Sequence, residues 1–348
     1  YWKRCPRPYT TGALRLNVRR PVRTAWNVLV RKAPIEAQLI ITRRCNLSCG
    51  YCNEYDDHSP SIPLDTLKER IDALHGLKTA AINLLGGEPL LHPDLAELVR
   101  YARRKSLVAL ITNGFLLSEK IVQDLNDAGL DHMQISVDAL SPSGDLFIQK
   151  SLKSVRARLR ALKDRARFSL HVNAVLCPQS IEEYDELVAE VRALEIPISI
   201  GLVHDAEGRI DIKGEPYLGL WEQFYTEEGN FSAIEREYGS RLLKGETPDW
   251  HCRAGHRYIY VDEFGKVQYC ASQRGYLDRD VTGYKRADML AAGALKKTCA
   301  TGCSIGCAYR CSAVDGNLMA VASAWIRGER EHRRRQKAIA ATNQPAQA

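Results

Sequence analysis

Six short apolar runs alternate with longer helical patterns between residues 35 and 204, and no other sequence feature constrains the fold as strongly. The runs are residues 37–42, 80–85, 108–112, 132–137, 168–175 and 196–203. The helical patterns lie near residues 63–75, 93–105, 118–128, 151–165 and 180–193. Strands separated by helices pair in parallel through right-handed crossovers. The sequence therefore predicts an α/β fold, a partial (β/α)6 TIM-like barrel, whose strands end at one common edge.

The rest of the chain divides into segments of different composition. A polar stretch follows the sixth run, and residues 258–261 and 266–270 form a hairpin pattern in which Gly265 suits the turn. We predict a basic N-terminal extension, a barrel core, a helical linker, a small cysteine-rich domain and a basic C-terminal tail, at residues 1–34, 35–208, 209–250, 251–320 and 321–348. The basic ends are expected to be solvated faces, and contact with a membrane surface is the less favoured alternative.

Composition excludes several classes of protein. The 348 residues are 45% hydrophobic and 26% charged, and no stretch approaches the roughly 20 apolar residues of a membrane span. The formal charge of +7 and the pI near 8.8 are modest, so a nucleic-acid partner is not expected. The N-terminal residues lack the apolar region of a secretory signal, and we therefore expect a cytoplasmic protein.

The cysteines are clustered rather than scattered. Of eleven cysteines, three lie within residues 45–52 and four within residues 299–311. In a reducing compartment, closely spaced cysteines are more often metal ligands than disulfides. Cys5 and Cys177 lie apart from both groups and are expected to be ordinary thiols. The pattern predicts metal centres in two parts of the chain.

Cys45, Cys49 and Cys52 directly follow the first predicted strand, so their loop belongs to the carboxyl edge of the sheet. Three thiolates leave a four-iron cluster with one open coordination position, which suits a chelating small molecule. A zinc loop with His58 as the fourth ligand is the alternative, and the tight cysteine spacing fits it poorly.

The Cys-x3-Cys-x2-Cys spacing, with Tyr51 before the last cysteine, resembles the signature of the radical S-adenosylmethionine (radical SAM) superfamily. The resemblance implies that Cys45, Cys49 and Cys52 hold a catalytic [4Fe-4S] cluster that binds S-adenosyl-L-methionine. It implies reductive cleavage of that cofactor to a 5′-deoxyadenosyl radical, which abstracts a hydrogen from a substrate. A reductant such as flavodoxin or ferredoxin is implied as well.

Further residues match positions at which the superfamily contacts its cofactor. Gly86, Gly87 and Glu88, followed by Pro89, come directly after the second predicted strand. By resemblance, Glu88 and the adjoining backbone bind the cofactor's ammonium group. The other candidate cofactor contacts are Tyr51 in the cysteine loop and four polar side chains, Asn113 after the third predicted strand, Ser136 and Asp138 at the end of the fourth, and Asn173 on the fifth. Ordinary loop capping remains the alternative for Ser136 and Asn173, and a substrate contact is the alternative for Asp138.

The second cysteine group resembles the SPASM and twitch extensions of the superfamily, which hold auxiliary iron–sulfur clusters. Its members are Cys252, Cys270, Cys299, Cys303, Cys307 and Cys311. The last four are evenly spaced, which departs from both patterns. One fully ligated cluster with two spare thiols and two clusters with three thiolates each both remain open. The SPASM order would group Cys252 and Cys270 with Cys311. A structural zinc site is the competing interpretation.

The resemblance implies radical initiation but does not identify the substrate, because the barrel hosts many reactions. We expect oxidation, coupling or epimerisation of a peptide or protein side chain, or of a small natural-product or lipid precursor. Only about 35 residues precede the first predicted strand, which we expect to be too few for a peptide leader-binding domain. The rival hypothesis is a non-catalytic iron–sulfur or zinc protein with a binding or redox-sensing role.

Overall fold

The structure is a computed structural model that describes residues 21–144, 147–228 and 233–316. Its first six strands are β1 (Glu36–Thr42), β2 (Ala81–Gly86), β3 (Leu107–Thr112), β4 (His132–Ser136), β5 (Ser169–Leu176) and β6 (Ile198–Leu202). They pair in parallel with their neighbours in chain order. The six predicted strands are confirmed, each within two residues of the predicted bounds, and so is the partial-barrel fold class.

Helices cross over between consecutive strands. The helices of the described residues are α1 (Pro21–Ala25, continued by a π-helical turn at Trp26–Val30), α2 (Leu64–Gly76), α3 (Leu95–Ala102), α4 (Glu119–Ala128), α5 (Leu152–Arg165), α6 (Tyr184–Ala193), α7 (Glu215–Glu228), α8 (Ala233–Leu243), α9 (Arg286–Ala294) and α10 (Gly306–Gly316). The Oγ atom of Ser118 caps α4, and Gly129 ends this helix with φ of 80°.

The two faces of the parallel sheet differ in polarity. Every second residue of β1 is fully buried and packs into the main core with α2, as Leu39 does with Leu67. On the other face, Glu36 and Gln38 of β1 and Asn83 of β2 are half-buried. Glu36 Oε1 accepts from Gln38 Nε2 at 3.3 Å and from Asn83 Nδ2 at 2.9 Å. Strand alternation therefore places a polar inner face opposite the apolar face that the helices cover.

The predicted hairpin is present and extends the same sheet. It consists of β7 (Tyr258–Val261) and β8 (Lys266–Gln268), and β9 (Arg279–Asp280) pairs with β8. β7 pairs in parallel with β1, so the strand order is β6-β5-β4-β3-β2-β1-β7-β8-β9. β8 is shorter than predicted, and Cys270 therefore lies in the turn that follows it.

Residues 1–20 and 317–348 lie outside the described part of the chain, and so do Cys5, the first 20 residues of the predicted N-terminal extension and the predicted C-terminal tail. The predicted domain bounds stay predictions. Within the described ranges, we find no helix with both the length and the apolar character that crossing a membrane requires.

Candidate active site

The loop that carries Cys45, Cys49 and Cys52 is fixed at both sides by backbone hydrogen bonds. The N–H of Cys45 donates to the carbonyl oxygen of Asp56 at 2.9 Å, and the N–H of Gly50 donates to that of Phe147 at 3.0 Å. A side chain at Gly50 would place its Cβ 2.5 Å from the Phe147 ring. Gly50 is therefore required where the loop meets the segment after β4.

The three loop thiols are free, with Cys49 buried and the other two partly exposed. Burial raises the pKa of Cys45 to about 11 and also raises that of Cys52. A bound cation supplies the charge that ionises such thiols, so the donor set fits a metal cluster. Among the described residues, no three His, Cys, Asp or Glu side chains gather in the geometry of a single-ion site. His58 is exposed and points to Asp57, with 3.4 Å between Nδ1 and Oδ1, which gives no support to the zinc alternative.

Gly86, the last residue of β2, and Gly87 lie directly against the backbone that enters the cysteine loop. The N–H of Gly87 donates to the carbonyl oxygen of Thr42 at 2.9 Å, and the N–H of Glu88 donates to that of Arg44 at 2.8 Å. A Cβ on Gly87 would lie 2.3 Å from the carbonyl oxygens of Arg43 and Arg44. The motif therefore sets the position of the residues that precede Cys45.

Glu88 lies below the site rather than open to it. Its side chain is fully buried, and its carboxylate accepts hydrogen bonds from Thr112 Oγ1 at 2.7 Å and from the backbone N–H groups of Leu90 and Asn113 at 2.9 and 2.8 Å. Burial raises the pKa of Glu88, although the three hydrogen bonds act to lower it. The geometry gives Glu88 the task of holding the ends of β2 and β3, and its predicted contact with an ammonium group stays a prediction.

Of the remaining predicted polar residues, Asn113 follows β3, Ser136 ends β4, and Asn173 lies within β5. Asn113 Nδ2 donates to Asn46 Oδ1 at 2.9 Å and lies 3.8 Å from the sulfur of Cys45. Ser136 and Asn173 are register partners on β4 and β5, and Ser199 Oγ donates to Asn173 Oδ1 at 2.9 Å. The topology thus brings these side chains to the edge that holds the cysteine loop.

Asp138 connects the fourth strand to the cysteine loop through Tyr51. The Tyr51 hydroxyl donates to Asp138 Oδ2, while Asp138 Oδ1 accepts from the backbone N–H of Val175 at 2.9 Å. Burial and the neighbouring carboxylate raise the pKa of Tyr51 well above its ordinary value, so the phenol stays protonated. The aromatic residue of the motif therefore acts as a hydrogen-bond donor to the end of β4.

Lys150 is a site residue that sequence reasoning missed. Its Nζ lies 3.7 Å from Asp138 Oδ2 and 5.0 Å from the centre of the Tyr51 ring. Burial alone would lower the pKa of Lys150, but the charges of Asp138 and the three loop cysteines raise it. Lys150 is thus a cation held over the loop. It follows no recognised motif, and its position immediately before α5 is the only sequence signal.

Four of the six auxiliary cysteines line one small, mainly apolar cavity. They are Cys252, Cys270, Cys299 and Cys303. Burial raises the pKa of all four thiols, that of Cys270 to about 12. Lys297 also lines the cavity, and its Nζ donates to the carbonyl oxygen of Cys252 at 3.0 Å. Cys252 and Cys270 are buried, whereas Cys299 and Cys303 are partly exposed. Four soft donors around one cavity suit a four-thiolate cluster.

Cys307 and Cys311 lie on α10, outside the lining of that cavity. The sulfur of Cys307 accepts a hydrogen bond from Gln38 Nε2 on β1 at 3.7 Å. Cys311 is buried, and this burial raises the pKa of its thiol well above the ordinary value. This grouping differs from the SPASM order, and the choice between one four-thiolate cluster and two three-thiolate clusters stays a prediction.

The chain is similar to known proteins over most of its length. Residues 39–198 match the family described as "Radical SAM superfamily". The chain is 30% identical over 262 residues to a PqqA peptide cyclase of Gluconobacter oxydans, covering 68% of this chain and 70% of that protein. It is 35% identical over 271 residues to a PqqA peptide cyclase of Xanthomonas campestris pv. campestris, covering 68% and 67%.

Two solved structures share the fold. The structure of Streptococcus suis SuiB bound to the precursor peptide SuiA aligns with a TM-score of 0.57 at 16% identity and covers 80% of this chain and 71% of that one. The structure of anSMEcpe with bound AdoMet and the Kp18Cys peptide aligns with a TM-score of 0.51 at 16% identity and covers 74% and 80%.

Proposed function

The chain belongs to the radical SAM superfamily, and from this premise we propose that it is a peptide-modifying enzyme that couples or oxidises side chains of its substrate. As a member of the family, it is an enzyme that binds a [4Fe-4S] cluster and S-adenosyl-L-methionine. The non-catalytic alternative is therefore set aside. The observation that carries the peptide assignment is the similarity to PqqA peptide cyclases over two thirds or more of both chains.

In this proposal the loop thiols hold the cluster, which supplies the electron that cleaves the bound cofactor. Asn113 and the backbone after β2 border the loop and would receive the cofactor's polar groups. Lys150 offers a positive charge for the cofactor's carboxylate, and Asp138 keeps that charge in place. Ser136 and Asn173 present a hydroxyl and an amide at the strand ends, where they would hydrogen-bond to the ribose.

The polar inner face of the sheet supports a substrate rich in amide groups. Gln38 and Asn83 lie half-buried on β1 and β2, and Gln134 occupies the same face of β4. Amide side chains can both donate to and accept from peptide N–H and C=O groups. Gln38 also reaches Cys307 on α10, and in this proposal a substrate segment would lie along this face of the sheet.

We propose further that the cavity of Cys252, Cys270, Cys299 and Cys303 holds a single auxiliary cluster. Its chemistry would be electron transfer to or from the substrate, because four thiolates leave no iron open for a ligand. Flavodoxin or ferredoxin remains the proposed reductant. We also propose the five-part division of the chain that the sequence predicts. In it, β7 and β8 extend the sheet of the barrel and also form part of the auxiliary domain.

The proposal is tested with the anaerobically reconstituted chain, S-adenosylmethionine and a strong reductant. Release of 5′-deoxyadenosine is measured with a pooled synthetic peptide library and, separately, with pooled sugars, nucleosides and lipids. We expect peptides alone to increase the release and to yield products lighter by two hydrogens. Stimulation by the small-molecule pool alone would contradict the peptide assignment, and absence of 5′-deoxyadenosine in every mixture would contradict the enzymatic one.

A further inference from the structure

Five charged and phenolic side chains connect the cysteine loop to the β7–β8 hairpin. They are Arg43, Glu54, Tyr260, Glu263 and Arg274, and we refer to them as the Arg274 network. Arg274 is central: its Nη2 donates to both carboxylate oxygens of Glu54 at 3.0 Å. Its Nη1 donates to the two carboxylate oxygens of Glu263 at 3.1 and 2.9 Å. One guanidinium thus bridges a carboxylate after the cysteine loop and a carboxylate of the hairpin turn.

Tyr260 and Arg43 complete the network. The Tyr260 hydroxyl donates to Glu54 at 2.7 Å and accepts from Arg274 Nη2 at 2.6 Å. Arg43 lies 3.7 Å from Glu54 and 3.8 Å from Glu263. The four charged side chains are between 15% and 30% exposed, so solvent screens their interactions less than those of a surface ion pair. The positive charges of Arg43 and Arg274 therefore balance the negative charges of Glu54 and Glu263.

The network spans a short path between the two groups of cysteines. Glu54 follows Cys52 by two residues, so the carboxylate that Arg274 holds belongs to the segment that leaves the cysteine loop. Arg274 follows Cys270 by four residues, in a turn where the N–H of Gln273 donates to the carbonyl oxygen of Cys270 at 3.2 Å. A shift of the Cys270 turn would therefore reach the Cys52 end of the loop through a single guanidinium.

We propose that Arg274 is a positioning residue that couples the auxiliary cysteine site to the cluster on the loop. By holding Glu54, it fixes the segment that follows Cys52 and balances the carboxylate charge beside the cluster. This proposal rests on the proposed function for the presence of the two clusters. It adds that the state of the auxiliary cluster is transmitted to the loop cluster through Arg274 and Glu54.

The charge balance of the network predicts the direction in which each substitution shifts the reduction potential of the loop cluster. Reduction adds negative charge to a cluster, and hydrogen bonds to its sulfurs and nearby charges set its potential. R274A leaves an excess carboxylate near Cys52 and should make reduction less favourable by about tenfold, which is ~59 mV for one electron. E54Q removes a negative charge and should shift the same equilibrium in the opposite direction.

The experiment is a redox titration of the reconstituted full chain, in which the reduced loop cluster is followed by its electron paramagnetic resonance spectrum. R274A, R274K and E54Q are compared with R241A, which removes a surface ion pair between Arg241 and Glu246. Opposite shifts in R274A and E54Q, with R241A unchanged and R274K between R274A and the unsubstituted chain, support the proposal. Shifts of the same sign in both variants, or none in either, would overturn it, because a purely structural role predicts no reversal.

Two further variants keep the test decisive. If R274A cannot hold iron, Y260F removes one donor to Glu54 and should shift the potential in the R274A direction by less; an unchanged Y260F would then overturn the proposal. C270S as a single substitution should alter the spectrum of the loop cluster. Added to R274A or Y260F, C270S should leave that spectrum unaltered. If C270S has the same effect with and without the second substitution, the coupling is overturned. If the unsubstituted chain releases no 5′-deoxyadenosine, the proposed function fails, while the potentials still test the network.

Discussion

The carboxylate of Glu88 accepts a hydrogen bond from the backbone N–H of Asn113 at 2.8 Å, and the side chain of Asn113 in turn reaches the cysteine loop at Asn46 and Cys45. The glycine-rich motif after β2 is thereby joined to the end of β3 and to the cluster ligands. Glu88 is fully buried, so it supports the site from below.

This relationship predicts the effect of Glu88→Gln. A glutamine can keep the oxygen that accepts from Thr112 and Leu90, but its NH2 group would then face the N–H of Asn113 and leave a buried donor unpaired. We expect the free energy of unfolding to fall by about 1–3 kcal/mol, measured by urea denaturation. E97Q is the control, because Glu97 forms exposed ion pairs worth about 0–1 kcal/mol. Equal losses in the two variants would contradict this role of Glu88.

The loop cysteines predict a second set of outcomes. Alanine at Cys45, Cys49 or Cys52 removes one of three cluster ligands, so each variant should lose 5′-deoxyadenosine formation after anaerobic reconstitution. Cys177→Ala is the matched control, because this thiol is buried beside Ser180 Oγ at 3.3 Å and is not one of the three loop cysteines. Undiminished 5′-deoxyadenosine release from all three loop variants would rule out the ligand assignment.

Cys303 lines the auxiliary cavity, whereas Cys307, four residues later, does not. Cys303→Ala should lose about four iron atoms per chain, because it removes one ligand of a four-thiolate cluster. Cys307→Ala should keep its full iron content, because Cys307 lies against Gln38 outside the cavity lining. Iron and sulfide analysis measures both. Loss of iron in both variants would favour two clusters with three thiolates each.

Lys150 supplies a fourth prediction. Lys150→Met removes the cation over the loop and leaves Asp138 without its ion pair, so binding of S-adenosylmethionine should weaken by about tenfold, or about 1.4 kcal/mol. Equilibrium dialysis with the oxidised, reconstituted chain measures this binding without turnover. Lys153→Met is the control, because Lys153 is exposed on α5. Unchanged affinity in the Lys150 variant would exclude the proposed contact with the carboxylate.

Much of the fold could be predicted because strand and helix periods are local properties of the sequence. All six barrel strands and the hairpin lie where the alternation places them. The pairing of β7 with β1 joins residues more than 200 positions apart, and no local pattern specifies it. The length of β8 also depends on the turn that carries Cys270.

The site was predicted where a motif marks it and missed where only the tertiary structure assembles it. Cys45 and Gly87 belong to recognisable spacings. Lys150 does not, because it enters the site only when the segment before α5 folds over Tyr51. The grouping of Cys303 with Cys252 likewise depends on packing, since the even spacing of the late cysteines allows several sets of ligands.

The buried pair His132 and His171 predicts how stability depends on pH. Ser169 Oγ donates to the carbonyl oxygen of Asp131 and accepts from His132 Nδ1 at 2.8 Å, so His132 Nε2 accepts the proton of His171 Nδ1 at 2.7 Å. This assignment requires the His132 ring to be neutral, because its Nε2 must accept a proton from His171. Burial lowers the pKa of His132 from its ordinary 6.5 to about 4 and that of His171 well below its ordinary value.

Because the unfolded chain binds protons more readily than the folded one below pH 6.5, stability should fall as the pH decreases from 7 towards 4. His132 alone should lower the free energy of unfolding by about 2 kcal/mol between pH 7 and pH 5. Urea denaturation at several pH values, followed by tryptophan fluorescence, measures the slope. His132→Gln should flatten it, whereas His58→Gln, at an exposed ring, should not. A slope that is the same in His132→Gln and the unsubstituted chain would show that the pair does not titrate as its burial requires.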